Sequence, residues 1–209
     1  MSGRLLGLCL LVATVAASPA AAQTPSVSGY FTGGSVFLTA GESFDAVAGS
    51  HRALSLGGGA TVAGLWRGLF VDVAVTRQKM DGERVFVSNG TVFPLGIPWQ
   101  ATFVPVDITA GWRWSGGRVI PFVGAGATVV KYSERSDFAQ DGDDVSERKI
   151  GAVVLGGVDV PLSGWIRVGG DVRYRFLKGV LGAGGVSELL GEDQLGGVST
   201  AVRVTVGRR

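Results

Sequence analysis

Between Trp165 and Phe176 the chain alternates apolar and polar residues with a period of two. Ile166, Val168, Gly170, Val172, Tyr174 and Phe176 take the even positions, and Arg167, Gly169, Asp171, Arg173 and Arg175 the odd ones. An extended strand puts these two sets on opposite faces, one apolar and one charged. Strand-like runs also occupy residues 27–39, 53–66, 69–77, 99–114, 119–132, 146–160 and 195–206. Within 69–77, Val71, Val73 and Val75 face away from Phe70, Asp72, Ala74 and Thr76. Within 99–114, Val104, Val106, Ile108 and Trp112 oppose Phe103, Asp107, Thr109 and Arg113.

The connections come in two lengths. Residues 67–68, 115–118 and 161–164 are short turns, whereas 40–51, 78–98, 133–145 and 178–194 are long. Asp81-Gly82 and Asn89-Gly90 are hairpin signals, so residues 84–93 are predicted to form a small hairpin within the second long connection. No stretch asks for a helix apart from a turn at 187–190. The pattern predicts an all-β, eight-stranded antiparallel up-and-down barrel. Each run is long enough for a tilted strand to cross a bilayer, which takes roughly 9–11 residues. Alternating short and long connections fit a transmembrane barrel.

Which face meets solvent is decided by aromatics and lysines. Trp66, Trp112, Trp114 and Trp165 all sit beside the short turns, where a membrane interface favours amphipathic rings. Trp99, Tyr132, Tyr174 and Phe176 are expected toward the other rim. Lys79, Lys131, Lys149 and Lys178 lie at long-loop ends. The polar face of the strands instead carries Gly, Ser, Thr, Asp and Arg. The expected interior cluster is Asp72, Asp107, Arg113, Arg167, Asp171, Arg173, Arg175 and Arg203, with the apolar face turned to lipid. A barrel of this size is filled by its own side chains, and buried ions must pair. The cluster therefore reads as a salt-bridge plug in preference to a narrow gated path for ions or small solutes.

Composition narrows the picture further. Of 209 residues 46% are hydrophobic and 17% charged, with 35 glycines; the charged share is below the usual ~25%. A formal charge of +2, spread along the chain, gives no reason to expect nucleic acid as a partner. Arg4 followed by the apolar run 5–17, Ser18-Pro19 and Ala20-Ala21-Ala22 fits a signal peptide over residues 1–22. The run is too short to span a membrane as a helix, which needs roughly 20 residues. Cys9 follows Leu8 inside that run and does not fit a lipoprotein site. The barrel domain is then 23–209, exported and free of cysteine.

The overall pattern, the run Pro121-Phe122-Val123-Gly124-Ala125-Gly126-Ala127 and the closing Gly196-Gly197-Val198-Ser199 resemble the small outer-membrane β-barrel family, OmpA/OmpX-like, over essentially all of 23–209. The resemblance implies a monomer in the bacterial outer membrane, in contact with outer-membrane lipids and with the barrel assembly machinery. It also implies long loops available to extracellular ligands, and no cofactor. Such barrels usually end on an aromatic residue; this sequence ends Val206-Gly207-Arg208-Arg209.

Signals for other chemistry are weak. His51 is the one histidine, with Ser50 and Ser55 nearby but no acid at a telling spacing, so a lipid-modifying barrel enzyme is the lesser reading and no catalytic residue is assigned. A soluble exported ligand-binding barrel is a further alternative. Glu134, Asp137, Asp141, Asp143, Asp144 and Glu147 form an acidic loop, but Ala139 interrupts calcium-loop spacing, so no metal site is expected. The glycine runs 57–59 and 182–185 lack the strand-to-helix setting of a phosphate cradle and read as sites of bending or close packing.

Overall fold

The computed structural model describes residues 25–88, 91–136, 146–179 and 185–207. Its elements in chain order are β1 (Ser26–Leu38), α1 (Gly41–Ala48), β2 (Arg52–Ala63), β3 (Leu69–Ser88), β4 (Thr91–Arg113), β5 (Ile120–Ser136), β6 (Ser146–Pro161), β7 (Ile166–Phe176), α2 (Gly185–Leu190) and β8 (Gly197–Gly207). Each strand pairs antiparallel with the next, and β8 returns to β1, with Val204 opposite Phe31 and Ser199 opposite Val36. The ring is a closed eight-stranded barrel with no unpaired edge along its wall.

The alternation along each strand sorts side chains between wall and bore. Leu54, Leu56, Val73, Val75, Ile108, Val154, Val172 and Val202 are exposed on the outside, while Tyr30, Asp72, Asp107, Thr128, Asp159 and Arg173 are buried within. An apolar coat over a whole barrel far exceeds the few hundred Å² of contiguous apolar surface that soluble monomers usually show. Lipid is the solvent that suits it.

The turn end is built tightly. Between β2 and β3 the chain turns through Arg67 at φ 46° and Gly68 at φ 118°. Gly68 is needed twice over: its conformation is left-handed, and a Cβ there would lie 2.5 Å from the Arg113 carbonyl oxygen. This turn spans residues 64–68, longer than the two residues expected, so Trp66 lies in the turn and not on the strand. Between β6 and β7, Ser163 Oγ accepts from the Ile166 amide at 3.1 Å and closes the turn.

The loop end departs most from expectation. The hairpin expected within 84–93 is present, with Val85 opposite Pro94 and Ser88 opposite Thr91, but it is not separate: β3 and β4 run on through 78–98 as one pair, with a register shift between Glu83 and Val85. Residues 40–51 contain a helix, α1. Ala40 at its N-cap offers no side-chain cap. The carboxylate of Glu192 does so instead, accepting from the Ser43 amide at 2.8 Å and the Glu42 amide at 3.3 Å. Gly49 ends the helix in the left-handed region. Phe44 of α1 joins a buried apolar cluster with Leu38, Met80, Phe103, Tyr132, Leu177 and Leu195. Tyr132 is thus inside the barrel, packed 4.9 Å from Phe103, and not on the membrane rim where it was expected.

Candidate functional site: the charged bore

Four aspartates and five arginines are buried among the described residues. All eight residues of the sequence-derived cluster are among them, and Asp159 is the ninth. They form two linked groups.

Asp107, on β4, is the acceptor at the centre of the first. Arg175 on β7 approaches it with one edge of its guanidinium, Nε at 3.0 Å and Nη2 at 2.7 Å. Thr128 Oγ1 donates to Asp107 at 2.7 Å and Arg173 Nη1 at 3.2 Å. Arg173 then spreads over three more groups: Nε donates to Asp171 at 3.0 Å, and Nη2 to the Tyr30 hydroxyl at 3.0 Å and to Asp72 at 3.5 Å. Tyr30 and Thr61 in turn donate to Asp72, at 2.9 Å and 2.7 Å. Gly59 makes room for this arrangement, since a Cβ there would sit 2.6 Å from the Tyr30 hydroxyl.

Asp159, on β6 and fully buried, organises the second group. Arg203 is bidentate to it, Nε at 3.0 Å and Nη2 at 3.1 Å; Arg113 also donates to it, and Arg167 Nε lies 3.9 Å away. The Arg203 guanidinium lies 4.5 Å from the Phe122 ring centre and 4.7 Å from that of Tyr30. Its contact with Asp171, at 4.0 Å, joins the two groups.

Such a network neutralises charges that would each cost several kcal/mol, roughly, if buried alone. It also leaves little room. A cavity beside Asp72, Arg113 and Arg203 holds about 10 Å³, and one beside Gln78, Phe103 and Arg175 about 20 Å³. One water needs roughly that much. The apolar cluster under α1 lies over the loop end of the bore.

Asp159 was missed because both faces of residues 152–158 are apolar or glycine, so nothing marks which of them faces inward. The signal that could have found it is the surplus of arginines over aspartates in the cluster read from the sequence. The rim tryptophans Trp66, Trp114 and Trp165 are exposed and Trp112 is half-buried against Trp66, 5.9 Å between rings.

His51 does have an acid partner, contrary to the sequence reading: Asp45 on α1 contacts its Nδ1 at 2.9 Å. Neither nearby serine joins them, since Ser55 is buried in the wall's interior face and Ser50 Oγ bonds the Arg52 backbone. Among the described residues no group of His, Cys, Asp or Glu is placed to hold a metal ion. Asn89, Gly90, most of the acidic loop and most of the second glycine run lie outside the described residues.

No protein-family model matches the chain, and no curated protein matches it. Solved structures do. Neisserial surface protein A is similar with a TM-score of 0.55 at 16% identity, over 87% of this chain and 96% of that one. A major outer membrane protein from Thermus thermophilus gives 0.59 at 12%, over 88% and 99%. Ail of Yersinia pestis, the attachment invasion locus protein, solved with the heparin analogue sucrose octasulfate, gives 0.52 at 12%, over 90% and 99%. The closed ring, the inverted distribution of apolar and charged residues and these likenesses agree: the chain has the fold of the small eight-stranded outer-membrane β-barrels.

Proposed function

We propose that the chain, once residues 1–22 are removed as an export signal, resides in the bacterial outer membrane as a closed, non-catalytic barrel. Its role is structural or surface-interactive, with the loop end presented outward and Trp66, Trp112, Trp114 and Trp165 at the opposite interface. The observation that carries this reading is the bore itself. Arg173 binds four groups from four strands, and the cavities beside the network have room for about one water each. Moving an ion past it would require breaking several charge-assisted bonds at once. Ser50 Oγ bonds the Arg52 backbone and Ser55 is buried on the interior face, so neither is placed as a nucleophile for His51. As a monomer its contacts would be membrane lipids, the assembly machinery and whatever the outward loops meet.

Gel mobility in detergent and planar-bilayer recording test this together. The purified barrel should migrate as a compact species until boiled and give no steady conductance. A steady conductance abolished by Arg173→Ala would establish the narrow-channel alternative. Partition into buffer without detergent would establish a soluble barrel.

A further inference from the structure

We propose that a row of outward-facing basic side chains on β3, β5 and β6 binds the phosphates of a lipid headgroup in the loop-end leaflet; this rests on the membrane reading above. The register places the row. Val104 is opposite Lys131, and Lys131 is opposite Arg148. The constant β3–β4 register, Val75 with Val106 and Gln78 with Phe103, puts Arg77 opposite Val104. Arg77, Val104, Lys131 and Arg148 therefore run side by side across four strands, on the outward parity. Arg77 and Lys131 are two strands apart, about 10 Å.

The row beneath, toward the turn end, is Val75, Val106, Val129 and Ile150. From there down, the outward residues of these strands are Val, Ile, Leu, Ala, Gly, Pro and Trp. The change from hydrocarbon-compatible to basic thus occurs within one step of the pleat. The outer faces of β7, β8 and β1 carry no charged residue along their described length. The basic character belongs to one side of the barrel.

Two features argue that this is more than a solvated fringe. Like charges directly opposite on neighbouring strands repel, and Lys131 faces Arg148 in that way. Lys79, one row higher, is already paired with Asp81 at 3.2 Å. Asp81 also accepts from Gln100 at 2.8 Å, and the Gln100 and Lys79 hydrogen bonds hold its carboxyl below the usual carboxylate range. Among the described residues, no carboxylate on the outward face is paired with Arg77, Lys131 or Arg148 as Asp81 is with Lys79. An anion bridging Lys131 and Arg148, with Arg77 on its flank, would relieve the repulsion. At this depth the anions available are headgroup phosphates, which two arginines can each grip through two N–H groups.

The test uses the full barrel in detergent, with lipid A in its bis-phosphorylated and dephosphorylated forms, and native mass spectrometry to count retained lipid. Wild type should retain the phosphorylated form preferentially. The triple variant Arg77→Gln, Lys131→Gln, Arg148→Gln should lose the preference, by about fivefold for each charge removed. The pair Arg67→Gln, Arg118→Gln at the turn end should leave it unchanged. Gel mobility, run in parallel, separates failures: a triple variant that stays compact until boiled and still prefers the phosphorylated lipid overturns the row. A wild-type chain that never forms the heat-sensitive species overturns the membrane reading beneath it. Complete displacement of the lipid by free inorganic phosphate would overturn the assignment to a headgroup.

Discussion

Arg173 on β7 donates to Asp107 on β4 across the bore, Nη1 to Oδ2 at 3.2 Å, while Arg175 two residues on grips both oxygens of the same carboxylate. Two cations thus depend on one anion. Replacing Asp107 by Ala strips both of their shared acceptor and orphans Thr128 Oγ1 as well. Removing one partner of a buried pair costs about 3–5 kcal/mol. Asp107→Ala should therefore lower the urea midpoint for unfolding from micelles by the equivalent of at least ~3 kcal/mol, measured by the loss of the compact gel species. Replacing the ion pair by matched apolar residues should cost much less.

Asp159 serves three arginines, two by hydrogen bonds and Arg167 at 3.9 Å. The effects of Asp159→Ala and Arg203→Met should therefore be strongly non-additive. A double-mutant cycle on unfolding free energy should return a coupling of about 1–3 kcal/mol. A coupling near zero would mean that Arg113 and Arg167 take over the carboxylate without loss.

Glu192 caps α1 from about 150 residues away, through two amide hydrogen bonds. Glu192→Ala should remove a cap worth ~1 kcal/mol from the helix alone. Amide exchange at Glu42 and Ser43 should accelerate while exchange in β1 and β8 stays unchanged, because the barrel wall makes none of these bonds. The same variant should remain non-conducting, since Arg173 and Asp107 still fill the bore.

Those two sites also show what was legible in advance. Arg173, Arg175 and Asp171 could be assigned to the bore because strand β7 alternates without interruption, and a period of two leaves a single register. Asp159 could not, because Val153 and Leu155 on its own face look no different from Val154 and Val158 on the other. α1 was illegible for a different reason. It has eight residues, Ala40 at its N-cap, and its capping carboxylate lies in the last long connection; no local window contains the helix's own stabilisation. The extension of β3 and β4 past residue 77 was hidden because Asp81-Gly82 and Asn89-Gly90 both read as turns, though β3 continues straight through the first. Asp45 and His51 meet across the left-handed Gly49 that ends α1. What depended on strand periodicity was readable, and what depended on contacts between distant loops was not.

The orientation of the wall can be tested at a pair of neighbouring positions. Val172 points outward and is half exposed, and its chain neighbour Asp171 points inward and is buried. In a soluble barrel an arginine at Val172 would be a harmless surface change. At the midplane of a bilayer an outward arginine costs about 2–4 kcal/mol. Near the interface the cost falls to ~0–1 kcal/mol, so Val206→Arg, opposite Gly29 and Ile166 and beside the turn-end rim, supplies the comparison. Folding each variant into phosphatidylcholine vesicles and titrating with denaturant should give a clear penalty for Val172→Arg and a small one for Val206→Arg. Equal, negligible penalties would place the apolar face in water and remove the membrane as the solvent for which this chain is built.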